Sequence, residues 1–237
     1  MCELLGVSSR VPMALGPLLL RFADRGGKAA DNPDGWGLAY VGDTGLVLDK
    51  APEPAAESQR FAHLAETVNS SLAIAHVRKA DPPTEHTVAN THPFLRECCG
   101  RVWAFAHNGT VPTLLEPGGC CRPHSTQPSG ATDSEVAFYF LLEEIAVVVA
   151  QNGADDAPWL ETVRQLSAAI AHYGRFNFLL SDGRLLIAYG HDRLHLLRGR
   201  AGDSMFAAVA TEPLTAGDWE AFHPGALKVF LEGELLQ

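Results

Sequence analysis

The sequence predicts a layered α+β domain. Short apolar runs typical of β-strands occur in both halves of the chain, and two helical segments lie between them. At 237 residues, with 46% hydrophobic residues, the chain is long enough to bury a substantial core. Neither an internal repeat nor a linker is visible in the sequence, so we expect a single domain over residues 1–237.

The first third of the chain is expected to contain a helix, a hairpin and a second helix. Residues 12–23 are assigned to a helix that begins at Pro12, although a Gly-Pro pair interrupts it. The runs GWGLAYV and GLVLDK have the alternation of two strands, and the turn GDTG joins them. Residues 55–69 place apolar side chains at helical spacing, which predicts the second helix.

Two short apolar runs in the middle of the chain predict strands that end in polar residues. They are SLAIAHVR and RVWAFAHNG, and each is too short for a helix. The segment between them, ADPPTEHTVANTHPF, is polar and is expected to be a loop. Loops of this length in compact domains commonly carry function, so we expect this one to contribute to a site.

The second half of the chain is expected to begin with helices and to end with strands. After a segment rich in Pro, Gly and Cys at 117–130, Thr132 and Glu135 have the spacing of a capping box, which predicts a helix up to about Gln151. A further helix is expected over residues 158–173. The runs FNFLLS, LLIAYG, LHLLRG, FAAVAT and ALKVFLEG then predict an antiparallel meander.

The charge and hydropathy of the chain exclude several classes of partner. Its formal charge is −10, from 18 Lys and Arg against 28 Asp and Glu, which argues against binding to nucleic acid or to an anionic membrane. No apolar run reaches the roughly 18 residues that a membrane-spanning helix requires. Glu3 lies where a secretory signal would carry positive charge. We therefore expect a cytoplasmic protein whose cysteines are reduced.

The five cysteines include two vicinal pairs, Cys98 with Cys99 and Cys120 with Cys121. Structural zinc sites usually separate paired cysteines by two or more residues, so we expect no metal here, and nothing in the sequence suggests another cofactor. The fifth cysteine, Cys2, directly follows the initiator methionine. A core residue at that position would have the least surrounding structure to pack against, which raises the question of its role.

Four polar clusters accompany Cys2 along the chain. They are AHVRKA with His76 and Arg78, NTHPF with Asn90, His92 and Pro93, AHNG with His107, Asn108 and Gly109, and TDSE with Asp133. Each cluster has a structural explanation when taken alone, because strand-end histidines are commonly part-buried, Asn-Gly pairs form turns and TDSE can cap a helix. Their order and spacing are what indicate an active site.

This combination resembles the class II glutamine amidotransferases, which are amino-terminal nucleophile hydrolases. Those enzymes carry, in this order, a Cys exposed by removal of methionine, an Arg at a strand end, an NxHP loop, an HNG and a DSE-like acid, and the chain has all five. The runs DGWGLAY, FNFLLSDG and ATEPLT are similar to the small stand-alone branch of the family. The resemblance implies a four-layer αββα sandwich, with two antiparallel sheets face to face and helices on the outer faces.

The resemblance also implies a role for each site residue. Cys2 becomes the nucleophile once Met1 is removed, because its freed α-amine, with an ordinary pKa of about 7.7 to 8.0, can take the thiol proton. The side-chain amide of Asn108 and the backbone N–H of Gly109 are expected to receive the oxyanion. The residues expected to bind the substrate are Arg78 for its carboxylate, Asp133 for its ammonium, and His92, which shapes the pocket.

These roles predict an amidohydrolase that releases glutamate from glutamine or a γ-glutamyl amide through a Cys2 thioester. The alternatives are an amidotransferase subunit that supplies ammonia to a separate synthetase, a hydrolase of one γ-glutamyl metabolite like the related amidohydrolase of the ergothioneine pathway, and a catalytically silent glutamine or glutamate sensor. After Arg78 the chain departs from the glutamine-dependent synthases, since Asp81 stands where they carry a hydroxyl residue. This difference keeps larger γ-glutamyl amides open as substrates beside glutamine.

Overall fold

The computed structural model describes residues 1–81, 84–116, 118–119, 121–125, 127–153 and 155–236. These residues form two antiparallel β-sheets and four α-helices, which confirms the predicted α+β class. The helices are α1 (Gly16–Asp24), α2 (Gln59–Thr67), α3 (Asp133–Asn152) and α4 (Asp156–Ala171), with short 3-10 turns at Ala55–Glu57 and Pro112–Leu114.

Within the described residues the two sheets have seven and six strands. The first sheet contains β1 (Glu3–Ala14), β2 (Trp36–Gly42), β3 (Gly45–Ala51), β4 (Asn69–Val77), β9 (His195–Ala201), β10 (Ser204–Ala210) and β11 (Glu220–Ala221), in the order β11-β9-β10-β1-β4-β2-β3. The second contains β5 (Phe94–Cys98), β6 (Arg101–Thr110), β7 (Arg175–Ser181), β8 (Leu185–Gly190), β12 (Ala226–Leu231) and β13 (Glu234–Leu235), in the order β13-β12-β8-β7-β6-β5.

Three apolar layers join the sheets and helices. The first lies between the first sheet and the pair α1 and α2, where Phe22 is fully buried. The second lies between the two sheets and contains aliphatic side chains such as Ile74 and Leu179. The third lies between the second sheet and the pair α3 and α4, where the rings of Phe105 and Phe138 stack at 5.2 Å. This is the four-layer αββα sandwich that the resemblance implied.

The alternation of side chains along β6 sends its last residues to two different layers. Phe105 packs with the helices, whereas Ala104 and Ala106 pack between the sheets. With a period of two residues, His107 then faces α3 and Asn108 faces the first sheet. The polar end of this strand therefore contributes one side chain to each of two neighbouring layers.

The helix predicted over residues 12–23 is wrong in its first part. β1 continues to Ala14 and α1 begins at Gly16, with Pro17 in the first turn, where a missing N–H costs no helical hydrogen bond. The strand β1 was not predicted from the sequence. The reason is that residues 3–9 are all buried, so the run ELLGVSS lacks the alternation that marks a strand with one exposed face.

The predicted carboxyl-terminal meander is also wrong, because its strands divide between the two sheets. β7, β8 and β12 belong to the second sheet, whereas β9 and β10 cross to the first, where β10 pairs with β1. The strand β5 was assigned to no element in the sequence prediction. Both sheets bury strands of similar apolar composition, so composition alone does not indicate which sheet a strand joins.

The amino end of β1 is anchored by a buried ion pair. The carboxylate of Glu3, whose residue is 3% exposed, accepts hydrogen bonds from Arg25 Nε at 2.9 Å and from Arg25 Nη2 at 2.7 Å. The next residue, Leu4, donates its backbone N–H to Thr211 Oγ1 at 2.8 Å, and Thr211 donates its own N–H to Leu4 O at 3.0 Å. These contacts fix the residues that directly follow Cys2.

Replacing Arg25 by Ala should lower the free energy of unfolding by about 3 kcal/mol, because the buried Glu3 carboxylate would lose its partner. Urea unfolding followed by circular dichroism measures this change. Lys28→Ala is the control, since Lys28 forms an exposed pair with Asp24 and its loss should cost about 0.5 kcal/mol or less. If both variants lost the same stability, the ion pair would not be the anchor that we describe.

Candidate active site

The register between β1 and β4 brings Cys2 next to Arg78. Glu3 pairs with Val77 in the antiparallel ladder, so the residues that precede Glu3 and follow Val77 emerge side by side. The thiol Sγ of Cys2 then makes two contacts with one peptide unit: Lys79 N–H donates to it at 3.2 Å, and it donates to Lys79 O at 3.3 Å. Cys2 and Arg78, which are 76 positions apart in the chain, therefore lie at the same end of two paired strands.

The thiol of Cys2 is protonated in this environment. Burial raises its pKa above the ordinary value, and this effect outweighs the hydrogen bond from Lys79 N–H and the positive charge of Arg78, which both lower it. A buried thiol of this kind needs a base before it can act as a nucleophile.

A cavity of about 540 Å³ opens beside Cys2. It is lined by Cys2, Arg78, Lys79, Ala80, Asp81, Thr84, His92, His107, Gly109, Thr110, Pro112, Leu115, Glu116, Ala131, Thr132, Asp133 and Ser134. Five of the six site residues predicted from the sequence are in this set. The sixth, Asn108, contacts the backbone of Cys2 but does not line the cavity.

Arg78 is a buried cation with a free hydrogen-bond donor. The residue is 5% exposed, and its Nη1 has no hydrogen-bond partner among the described residues. Burial lowers its pKa below the ordinary value, while the negative charges of Asp34 and Asp81 oppose that effect. A buried guanidinium nitrogen without a partner is costly, so the cavity is suited to an anion that would pair with it.

The loop before β2 holds the segment that carries Arg78. The carboxylate of Asp34 accepts the N–H of Ala80 at 2.7 Å, and the N–H of Asp34 donates to Arg78 O at 3.0 Å. Gly35 O accepts the N–H of Arg78 at 2.8 Å. The sequence carries no signal for this role of Asp34, because the atoms it contacts belong to the backbone, which every residue type has.

Asn108 and Gly109 lie where β6 passes Cys2. The Nδ2 group of Asn108 donates to Cys2 O, and its Oδ1 is buried without a partner among the described residues. Gly109 has a φ of +151°, and a Cβ atom there would lie 1.9 Å from Arg175 O. Only glycine fits this position, so the backbone of β6 can approach both Arg175 and the cavity.

Asp133 opens α3 and faces the cavity. Its Oδ2 accepts the N–H of Val111 at 2.6 Å, and its Oδ1 accepts the hydroxyl of Ser134 at 3.2 Å. Thr132 caps the helix as predicted, because its Oγ1 accepts the N–H of Glu135 at 3.2 Å. The other half of the predicted capping box is wrong: Glu135 instead accepts the N–H groups of Ser129 and Gly130 at 2.9 and 2.6 Å.

Three buried histidines form one wall of the site. The backbone N–H of His107 donates to His92 Nδ1 at 3.4 Å. This nitrogen is therefore an acceptor, and we assign the proton of the His92 ring to Nε2. His76 Nε2 lies 3.1 Å from the same His92 nitrogen and 3.2 Å from His107 O, which assigns a proton to His76 Nε2. His107 Nδ1 lies 2.8 Å from Ser134 Oγ. The motifs predict His76 and His107 as separate strand-end histidines, and their contact arises only from the fold.

Burial keeps these imidazoles neutral. It lowers the pKa of His76 to about 3 and that of His92 well below the ordinary value, where the neighbouring His76 lowers it further. Burial also lowers the pKa of His107, and the charge of Asp133 partly opposes this. The wall is therefore polar but uncharged at neutral pH, in contrast to Arg78 beside it.

The described part of the chain shows no metal site and no membrane span. No group of three or more His, Cys, Asp and Glu side chains in it is arranged to hold a metal ion. Cys98 is the last residue of β5 and Cys99 lies in the turn before β6, whereas Cys120 of the second vicinal pair lies outside the described residues. No helix in the same residues is both long and apolar enough to cross a membrane.

The neutral histidines predict a pH dependence of stability. The unfolded chain binds protons at these groups below about pH 6.5 and the folded chain does not, so stability falls as pH decreases, by about 1.4 kcal/mol per pH unit for each such histidine. The loss from His76 continues to about pH 3, its folded-state pKa. Urea unfolding at pH 7, 6 and 5 should give a smaller slope for His76→Phe than for the wild type. The same slope in both proteins would show that His76 is protonated in the folded state.

Comparisons with known proteins agree with this geometry. The sequence profile described as "Glutamine amidotransferases class-II" matches residues 1–202. The chain is 32% identical over 99% of its length, and over 99% of the relative's length, to YafJ of Escherichia coli strain K12, whose name marks it as a candidate glutamine amidotransferase.

Two solved structures are similar over nearly the whole chain. A predicted glutamine amidotransferase from Pseudomonas aeruginosa PA01 superposes with a TM-score of 0.71 at 28% identity, covering 100% of both chains. Glutamine phosphoribosylpyrophosphate amidotransferase from B. subtilis superposes with a TM-score of 0.66 at 20% identity and shows the likeness of fold; the match covers 99% of this chain and 48% of that one. With the profile match over residues 1–202, these findings establish that the chain belongs to the class II glutamine amidotransferase family.

Proposed function

We propose that this enzyme hydrolyses the side-chain amide of glutamine or of a γ-glutamyl compound through a thioester on Cys2. One observation carries the proposal: Cys2 lines the same cavity of about 540 Å³ as Arg78, whose buried Nη1 has no partner among the described residues. A nucleophile beside a buried, unsatisfied cation suits a substrate that presents both an electrophilic carbon and a carboxylate.

The base in this proposal is the α-amine of Cys2 itself. Because burial raises the pKa of the thiol, the thiolate needs an acceptor for its proton. Removal of Met1 frees an amine on the same residue, and such an amine has an ordinary pKa close to neutrality. It takes the thiol proton directly or through a water molecule, and Sγ then attacks the amide carbon.

Attack forms a tetrahedral intermediate whose oxygen carries negative charge. We assign its stabilisation to the Nδ2 group of Asn108 and the N–H of Gly109, which lie at the end of β6 next to Cys2. A single donor of this kind typically contributes about 3 kcal/mol to the transition state. The C–N bond then breaks, the leaving nitrogen takes the proton held by the Cys2 amine, and water later hydrolyses the thioester to give glutamate.

The charges in the cavity match the amino-acid end of a glutamyl group. Arg78 offers a guanidinium to the α-carboxylate, and Asp133 offers a carboxylate to the α-ammonium. The neutral histidine wall, which includes His92, adds polar surface without a second positive charge that would compete for the carboxylate. This pairing supports glutamine and γ-glutamyl amides over neutral amides.

The first test is covalent labelling of the purified protein by a diazoketone analogue of glutamine, followed by intact mass. The chain should lack one methionine and gain a single adduct, and excess glutamine should block the reaction. Cys2→Ala should give no adduct and no amide hydrolysis, whereas Cys99→Ala, which removes an exposed thiol, should behave as the wild type. Hydrolysis by Cys2→Ala would contradict the mechanism.

A second test concerns Arg78. Arg78→Met should lower kcat/KM for glutamine by about 10- to 100-fold, the value of a charge-assisted hydrogen bond. The loss should be much smaller for the α-amide of glutamine, which has no carboxylate for Arg78 to bind. Equal losses on the two substrates would mean that Arg78 acts on the fold or on Cys2 rather than on the carboxylate.

A further inference from the structure

A second, smaller cavity adjoins the site on the side of Cys2 that Arg78 and Asp133 do not line. Its volume is about 150 Å³, and it is lined by Met1, Cys2, Lys79, Asp81, Gly109, Thr110 and Arg175. Cys2, Lys79, Asp81, Gly109 and Thr110 line both cavities, whereas Met1 and Arg175 line the smaller one alone. The carbon that Cys2 attacks would therefore lie at their junction, with the glutamyl group in the larger cavity and the leaving group directed into the smaller one.

Met1 occupies part of this second cavity. Its Sδ lies 2.7 Å from Arg175 Nη1, and the residue is 54% exposed. A thioether is a weak partner for a guanidinium. Removal of Met1, which the proposed mechanism requires, would both enlarge the cavity and expose Nη1 of Arg175 next to the reacting atoms.

Asp192 and Asn177 fix the position of the Arg175 guanidinium. Its Nε pairs with Asp192 Oδ2 at 2.6 Å, and Asp192 Oδ1 accepts a hydrogen bond from Asn177 Nδ2 at 2.9 Å. The same Asn177 nitrogen also donates to Asn108 O at 3.2 Å. These contacts fix the guanidinium relative to the strand that carries Asn108, and they leave Nη1 directed at Met1.

The other charges of the second cavity complement Arg175. Asp81 presents a carboxylate whose Oδ2 accepts the hydroxyl of Thr110 at 3.0 Å. The ammonium of Lys79 is already paired with Asp31 at 2.7 Å. The smaller cavity therefore offers the guanidinium of Arg175 and, where it meets the larger cavity, the carboxylate of Asp81.

We propose that this second cavity is a leaving-group subsite for an amino acid, in which Arg175 binds the carboxylate of a γ-glutamyl peptide's second residue. The inference rests on the proposed function and makes γ-glutamyl peptides, rather than glutamine, the preferred substrates. When the C–N bond breaks, the amino acid leaves with the proton returned by the Cys2 amine, and Asp81 faces the resulting ammonium. Ammonia, the leaving group of glutamine, carries no carboxylate and would leave Nη1 of Arg175 without a partner.

The test compares γ-glutamylglycine with glutamate γ-ethylamide, which has a similar leaving group without the carboxylate. For the processed wild type, kcat/KM should be at least about tenfold higher for γ-glutamylglycine, the order expected from a charge-assisted hydrogen bond. Arg175→Ala should reduce this ratio about tenfold, and Arg175→Lys should restore part of it. A ratio near one in the wild type, or a ratio that Arg175→Ala does not change, would overturn the subsite.

Arg184→Ala is the matched control. Arg184 is 43% exposed and pairs with Asp156, much as Arg175 is 41% exposed and pairs with Asp192, but it lines neither of the two cavities. This variant should keep the wild-type ratio. If it lowered the ratio as Arg175→Ala does, the effect would come from general loss of surface charge and the subsite would be wrong.

A binding measurement separates this inference from the proposed function. By calorimetry, the processed Cys2→Ala protein should bind γ-glutamylglycine about tenfold more tightly than glutamate γ-ethylamide, and Arg175→Ala in that background should remove the difference. Equal affinities would overturn the subsite even if both compounds were hydrolysed by the wild type. By contrast, a processed wild type that is neither labelled by the diazoketone nor active on either amide would contradict the proposed function, while the binding comparison would still decide the subsite.

Discussion

The site depends on the register between the first strand and its neighbour. Because Glu3 pairs with Val77, the residues just beyond them bring the thiol of Cys2 and the guanidinium of Arg78 to the same end of the two strands. β1 lies between β4 and β10 in the middle of a seven-stranded sheet, so two ladders fix its position. A slip of one residue would turn every side chain of the strand to the opposite face, and Cys2 with them.

Charge is distributed unevenly around the nucleophile. The imidazoles of His76, His92 and His107 are buried and neutral, whereas Arg78 stays charged because guanidinium loses its proton only at very high pH. Arg78 is 5% exposed, and a buried charge is screened less than one in bulk water. The neutral wall therefore leaves Arg78 as the dominant positive group on the glutamyl side.

The sequence predicted most of the side chains of the site but little of what positions them. Cys2, Arg78, Gly109 and Asp133 were identified from motifs, and the fold brings them to one cavity. The peptide of Lys79, which contacts the thiol, was not identified, because any residue type can supply a backbone N–H and carbonyl. These contacts exist only through the fold and leave no pattern in the sequence.

The strand predictions likewise succeeded where a local pattern was present and failed where pairing between distant strands decided the outcome. The hairpin of β2 and β3 was predicted correctly because one face of β3 is partly exposed and its residues alternate. β1 was missed because it is buried on both faces, and β9 and β10 were placed in the wrong sheet because pairing between distant strands has no local signature. Local patterns thus indicate elements, whereas long-range pairing decides where a site forms.

The central position of β1 has a consequence for the order in which the protein is made. Leu4 and Thr211, which exchange hydrogen bonds, are 207 residues apart, so the strand that is synthesised first obtains its second neighbour only near the end of synthesis. Pairings between such distant segments form slowly because a long loop must close first. Until then the sulfur of Cys2 lacks the enclosure that the folded protein gives it. Oxidants in solution therefore reach this sulfur more freely before the pairing forms than after it.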